Sequence, residues 1–332
     1  MAVLVTGGAG FVGLNIVEAL LGRGEAVVVF GLDDPPEAAR RAFGVLPGNL
    51  TTMRGDVRDA DAVERAMAEH AVERVVHAAV ITAGIERERT DYRDILDVNL
   101  RGAAAVLDAA RRRGVRRLVY PSSGAVYGES LHAAERLSVE RTPAVPVSLY
   151  AITKYAAERM CLRLGDLWGV DVICGRLGSV FGPWERDTGV RDTLSPFFQL
   201  ARAAARGETA VLPRRRPRRD WVYSRDIAGA IVALLDAPPP VRRVCNVASG
   251  HDPADHLPAF ADALRDVYPR FSWRVAGERE RATVALHDER DRAPPCVRPL
   301  TEEFGYAPRF TSEAALADFA AWLASHPDFP LC

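Results

Sequence analysis

Tyr150-Ala151-Ile152-Thr153-Lys154 sets a phenol and an amine four residues apart. On a helix the two side chains share one face, one turn from each other. An ammonium beside a phenol favours the phenolate, so the expected chemistry is proton exchange with an alcohol or a carbonyl. The amine is singular: of 43 basic residues, Lys154 is the one lysine. Heavy use of Arg and Ala indicates a biased codon pool, yet arginine cannot easily replace a compact ammonium that must reach two partners. Upstream lies Tyr120-Pro121-Ser122-Ser123-Gly124-Ala125-Val126-Tyr127-Gly128, whose serines can share the reacting oxygen with Tyr150.

A second chemical feature opens the chain. Thr6-Gly7-Gly8-Ala9-Gly10-Phe11-Val12-Gly13 follows a short apolar run and precedes an amphipathic one. Gly7, Gly10 and Gly13 form G-x-x-G-x-x-G. One glycine permits the turn, one lets a diphosphate approach the main chain, and one allows close helix–strand packing. The free N–H groups of the following helix suit a dinucleotide. NAD-binders carry an acid at the end of the second strand, where this chain has Gly31. Asp33 can serve instead, which favours NAD. The alternative is NADP, with Arg40, Arg41 or Arg54 meeting a 2′-phosphate. Gly55-Asp56-Val57 is placed for an adenine contact.

Elements that position these groups follow from periodicity. Strands are expected at Ala2–Thr6, Ala26–Phe30, Arg74–His77, Arg117–Tyr120, Val170–Arg176 and Val244–Val247. Helices are expected at Phe11–Arg23, Asp59–His70, Asp91–Arg113 (ending at Gly114), Leu149–Gly165, Asp226–Leu235, Leu257–Val267 and Ser312–Ala324. Apolar strands separated by helices indicate an α/β, doubly wound parallel sheet, a Rossmann fold. Residues 1–176, with about 224–249, form the expected dinucleotide-binding domain. About 177–223 and 250–332 form a smaller, interleaved C-terminal substrate lobe.

Together these motifs resemble the extended short-chain dehydrogenase/reductase family, the NAD-dependent epimerase/dehydratase group, over nearly the whole chain. Val76-His77-Ala78-Ala79 is similar to the family's cofactor-lining third-strand motif. Asp97-Val98-Asn99, followed by Gly102-Ala103, is similar to its helix asparagine. Arg176-Leu177-Gly178-Ser179-Val180-Phe181-Gly182-Pro183 resembles the segment leading to the substrate lobe. Arg219-Asp220-Trp221-Val222-Tyr223-Ser224-Arg225-Asp226 resembles the R-D-[FW]-[VI]-x-x-x-D stretch.

The resemblance implies Ser123, Tyr150 and Lys154 as catalytic residues. It implies cofactor contacts from Gly7, Gly10, Phe11, Val12, Gly13, Asp33, Asp56, Val57, Ala78, Ala79, Asn99, Tyr150 and Lys154. Thr82, Ser123, Ser179 and Arg219 become the substrate-binding set. The implied reaction is NAD(P)-dependent hydride transfer at a secondary alcohol or ketone of a sugar-type substrate, by an epimerase or ketoreductase. Gly124 and Ala125 stand where sugar 4,6-dehydratases carry acids, which disfavours dehydration. Ser179 stands where many nucleotide-sugar members have asparagine, so a non-nucleotide sugar, sugar acid or lactone is the alternative substrate. A non-catalytic NAD(P)-binding module is the second alternative. A homodimer through the helices at 91–113 and 149–165 is also implied.

Composition bounds the rest. The 43 basic and 44 acidic residues nearly cancel, unlike a nucleic-acid or anionic-lipid binder. Arg214 to Arg219 is read as a solvated loop or a clamp on a substrate anion, with Arg219 the functional member. Five cysteines without C-x-x-C, and seven histidines without close pairing, give no metal site. The N-terminus lacks signal-peptide features and no long apolar run suggests a membrane span, so a cytoplasmic location is expected. Trp184, Glu185 and Arg186 are read as pocket lining or as packing and surface charge, with even weight. His77 is read as a packed strand-end residue.

Overall fold

The computed structural model describes residues 2–251, 255–329 and 331. In chain order the strands are β1 (Ala2–Thr6), β2 (Ala26–Gly31), β3 (Asn49–Arg54), β4 (Val72–His77), β5 (Arg117–Ser123), β6 (Asp171–Leu177), β7 (Ser179–Phe181), β8 (Thr209–Leu212), β9 (Trp221–Tyr223), β10 (Val244–Val247) and β11 (Ser272–Val275). Seven of them form one sheet, ordered β10-β6-β5-β4-β1-β2-β3 and parallel throughout. β1 is buried at every position, as a strand covered on both faces must be. Strand order reverses between β4 and β1, which opens a crevice beyond their carboxyl ends.

The helices are α1 (Phe11–Gly22), α2 (Glu37–Phe43), α3 (Ala60–Glu69), α4 (Ile85–Thr90), α5 (Tyr92–Leu96), α6 (Gly102–Arg112), α7 (Ser130–Ala133), α8 (Leu149–Trp168), α9 (Pro196–Ala205), α10 (Ser224–Asp236), α11 (Leu257–Val267), α12 (Arg298–Phe304) and α13 (Ser312–Ser325). On one face of the sheet, Val3 and Val5 meet α1 and α10. That core runs without a break into Phe197 of α9, Phe260 of α11 and Phe319 of α13. On the other face, α3, α6 and α8 cover Leu4, Val75 and Leu118. Two small sheets, β7 with β9 and β8 with β11, complete the C-terminal part.

Three sequence expectations are corrected. The strand expected at Arg74–His77 begins at Val72 and is the fourth in chain order, since β3 precedes it. The single helix expected over Asp91–Arg113 is α5 and α6 joined by a π-helical stretch, Asp97–Arg101. That wider turn points Asn99 inward, leaving it 2% exposed. The helix from Leu149 does not stop at Gly165. Gly165 lies inside it, where a Cβ would come within 2.8 Å of Val172, and left-handed Gly169 (φ 70°) terminates it.

Candidate active site

The glycine loop is built around two positions that refuse a side chain. Gly7 has φ 65°, and a Cβ on it would sit 2.7 Å from the Ala79 backbone. A Cβ on Gly13 would meet the Gly7 carbonyl oxygen at 2.2 Å. The loop is pinned by Gly7 N–H to the Phe30 carbonyl (2.8 Å) and Gly10 N–H to the Gly7 carbonyl (2.9 Å). Gly10 starts α1 without a side-chain cap. The first intrahelical bond comes from Leu14, to Gly10, so the N–H groups of Phe11, Val12 and Gly13 point out of the helix end. Ala78 and Ala79 border the same crevice, half-buried, at the end of β4. This arrangement fits a dinucleotide diphosphate.

Around the adenosine end, Asp33 is exposed at the tip beyond β2. Asp34 is taken by Arg54 at 2.8 Å, and Arg41 pairs with Asp328 at 3.3 Å. Two of the three arginines considered for a 2′-phosphate are therefore already paired. Asp56 accepts from the N–H and guanidinium of Arg58, which holds its carboxyl below the usual range. Val57 is 5% exposed and its side chain packs against Gly102.

Ser148 caps α8 by accepting from the Ala151 N–H at 3.1 Å, and the helix then presents Tyr150 and Lys154. Ser123, at the end of β5, accepts from the Ala125 N–H at 3.1 Å. The Ser123 and Thr82 hydroxyls act on the Tyr150 phenol in favour of its ionised form. Burial pushes that phenol above its ordinary value, while Ser123, the field of Arg191 and Thr82 oppose the rise. The structure thus brings Ser123, Tyr150 and Thr82 together.

Among the described residues Lys154 finds its partners on β5. Lys154 donates to the Pro121 carbonyl, and its Nζ lies 4.1 Å from the centre of the Tyr120 ring. Burial depresses the ammonium to about 7. The cation whose field favours the Tyr150 phenolate is Arg191, which sequence reasoning missed. Only a fold that crosses the crevice brings residue 191 to residue 150, so no local motif signals it.

Asn99 is held by partners of its own. Its Oδ1 accepts from Ile81 N–H (2.8 Å), and its Nδ2 donates to the Ile81 carbonyl (3.0 Å) and the Thr153 hydroxyl (3.1 Å). Both ends of the amide are spent clamping the loop after β4 onto α8, so Asn99 positions the site and does not face it. His77 is buried as expected. It meets Thr6 at 2.7 Å, and burial drives it down to about 3, so it is neutral.

The segment Gly182–Ser195 crosses the crevice. Thr82 N–H donates to the Val190 carbonyl and Asp192 N–H to the Thr82 carbonyl. Arg87 grips Asp192 through two nitrogens, and Gly84 N–H adds a bond at 2.8 Å. Trp184 is fully buried among Phe43, Trp322 and Phe329, and Glu185 is buried accepting from Ser195. Both are packing residues. Arg191 lies 5.1 Å from the Phe11 ring and 3.3 Å from Glu185.

Ser179 opens β7 opposite Trp221 of β9. Arg219 is 5% exposed beside Trp221, and its Nε has no partner. Burial and the neighbouring Arg292 bring its guanidinium down to about 10. Pro196, Leu257, Leu286 and His287 line the same small cavity.

A model of the NAD dependent epimerase/dehydratase family matches residues 3–248. The dTDP-glucose 4,6-dehydratase of Mycobacterium tuberculosis (strain ATCC 25618 / H37Rv) is 28% identical, over 99% of this chain and 90% of that protein. UDP-glucuronate 4-epimerase 1 of Arabidopsis thaliana is 25% identical, over 98% of this chain and 77% of that protein. The solved structure of the Thermus thermophilus UDP-glucose 4-epimerase with NAD superposes with a TM-score of 0.76, at 28% identity, over 99% of this chain and 100% of that one. The family match runs from β1 to the end of the main sheet and takes in the glycine loop, Ser123, Tyr150 and Lys154; the chain is thus an enzyme of the NAD dependent epimerase/dehydratase family, with NAD as its cofactor.

Proposed function

We propose that the enzyme moves a hydride at a secondary alcohol of a sugar-type substrate, as a nucleotide-sugar epimerase or ketoreductase. The observation that carries this is Tyr150 in the first turn of α8 with Ser123 at the carboxyl end of β5, where the Ser123 and Thr82 hydroxyls favour its phenolate. NAD in the glycine-loop crevice supplies the hydride acceptor. As phenolate, the form that Ser123, the field of Arg191 and Thr82 favour, Tyr150 Oη takes the proton from the substrate hydroxyl as the C–H electron pair departs, and returns it to the carbonyl oxygen when hydride comes back. Ser123 holds that oxygen in place. Lys154, seated on the Pro121 carbonyl, would hold the nicotinamide ribose.

Arg219 supports an anionic substrate. A buried guanidinium with an unpartnered Nε is costly, and an anion is the group that relieves it. A diphosphate suits it best, in keeping with relatives named for UDP- and dTDP-sugars. A sugar acid is the second reading, favoured by the short Ser179 in place of asparagine. Dehydration is disfavoured because Gly124 and Ala125 supply no carboxyl group beside Ser123 to expel a hydroxyl.

The test is incubation with NAD and a panel of UDP-sugars, dTDP-glucose and free sugar acids. Nuclear magnetic resonance reads inversion at one carbon, absorbance reads NADH, and mass reads loss of water. Inversion without NADH accumulation supports the epimerase. Steady NADH supports a dehydrogenase, and near-normal turnover by Tyr150→Phe overturns the mechanism.

We also propose that two copies pair through α5 and α8. These helices pack together, and Tyr92, Leu96, Ile152, Leu167 and Trp168 stay exposed on them. Sedimentation equilibrium should show a dimer that Leu96→Arg dissociates. A monomeric wild type overturns this.

A further inference from the structure

Arg186 belongs to the segment that crosses the crevice, yet its guanidinium rests on the glycine loop. Nη1 donates to the Ala9 carbonyl at 2.8 Å. Among the described residues no carboxylate pairs with it within 4.0 Å. Asp33 acts on it only from farther away, and burial holds the guanidinium below its ordinary value. Arg41, Arg54, Arg87 and Arg191 nearby all have a carboxylate partner.

The position of this cation is electrostatically costly. It faces the N-terminal end of α1, which carries a positive partial charge and no side-chain cap. Two positive groups are held on one side of the crevice with only a neutral carbonyl between them. An anion lying between them converts that cost into attraction, since both the helix end and the guanidinium then donate to it.

We propose that Arg186 is a cofactor-binding residue that closes on the dinucleotide diphosphate from the edge of the glycine loop at Ala9. The proposal rests on NAD occupying that loop. It makes the crossing segment a latch with two fixed points. Arg186 holds the cofactor side, and Asp192 is gripped by Arg87 and Gly84 on the other. Arg191 lies between them along the segment and its charge acts on Tyr150, so latching over NAD also sets the cation that acts on the phenol. NAD then leaves only when the segment lifts, which suits an enzyme that returns its hydride to the substrate it came from.

The experiment is calorimetric titration of the full-length protein, freed of bound nucleotide, with NAD, ADP-ribose and adenosine. Arg186→Ala should weaken NAD and ADP-ribose by about 10- to 100-fold, the worth of a charge-assisted hydrogen bond. Adenosine, which lacks phosphate, should bind as it does to wild type. Arg186→Gln keeps a donor for Ala9 without the charge and should lose nearly as much. Arg186→Lys should recover part. Arg87→Ala, which frees the far end of the latch, should speed NAD release measured by stopped flow. Unchanged NAD affinity in Arg186→Ala and Arg186→Gln overturns the proposal, as does an equal loss for adenosine. A wild type that binds no NAD at all would instead overturn the site reading beneath it.

Discussion

Glu158 and Arg176 form an ion pair sealed inside the molecule, one turn beyond Lys154 on α8. Oε1 meets Nη2 at 2.7 Å, Oε2 meets Nε at 3.0 Å, and the Ser122 hydroxyl donates to Oε2 at 2.7 Å. Glu158 is 0% exposed and Arg176 5%. The pair fastens α8 to β5 and β6 next to Ser123. Glu158→Ala leaves a buried guanidinium unpaired and should cost about 3–5 kcal/mol of stability, read by urea unfolding. Glu158→Leu with Arg176→Met should restore much of that loss, because both charges are then gone. A single variant as stable as wild type would show that water reaches the pair.

Lys154 gives the protein a signed pH dependence. Its folded value is about 7 against an ordinary 10.5, because burial disfavours the ammonium. Between those two values the unfolded chain binds the extra proton, so stability rises with pH across the window and this contribution is flat below it. Lys154→Met should abolish the rise. Urea midpoints measured across the window test this; parallel profiles for the two proteins would mean that Lys154 titrates as it does in water.

Two glycines of α1 and its loop should respond in opposite ways to alanine. Gly7→Ala places a Cβ at φ 65° and 2.7 Å from the Ala79 backbone. It should cost about 1–3 kcal/mol and lower NAD affinity by about tenfold or more. A Cβ at Gly22 meets nothing within 4 Å, and alanine there should stabilise by up to about 1 kcal/mol. Thermal melts and NAD titration of both variants separate loop geometry from helix propensity.

Arg219 should trade stability for binding. Arg219→Met removes a buried cation whose Nε has no partner, so the substrate-free protein should be as stable as wild type or more so. KM for a phosphorylated or acidic substrate should rise by about tenfold or more. A destabilised variant with unchanged KM would mark Arg219 as structural.

The sequence was most legible where one element supplies its own signal. β1 and its glycines, and the Tyr150–Lys154 spacing, are local, and the structure places each in the element that the pattern indicates. It was least legible where two patterns superpose. The stretch from Asp91 to Arg113 reads as one amphipathic helix. A π turn merely shifts its face to send Asn99 inward, and no residue type announces that. Gly165 reads as a stop, but it is a contact point for Val172. Trp184 and Glu185 read equally as pocket or packing, and burial settles them as packing.

By itself the sequence determined the parallel sheet and the dinucleotide crevice, and it singled out Tyr150, Lys154 and the serines after β5 as candidates. These follow from periodicity, glycine stereochemistry and spacings within a single turn, all local along the chain. Only the tertiary structure decided what surrounds the phenol. Lys154 turns to Pro121 and the Tyr120 ring, while Arg191 and Arg186 arrive from a segment that crosses the crevice. Fields and burial depend on distance in space, and a chain that folds back on itself sets those distances between residues that no sequence window contains.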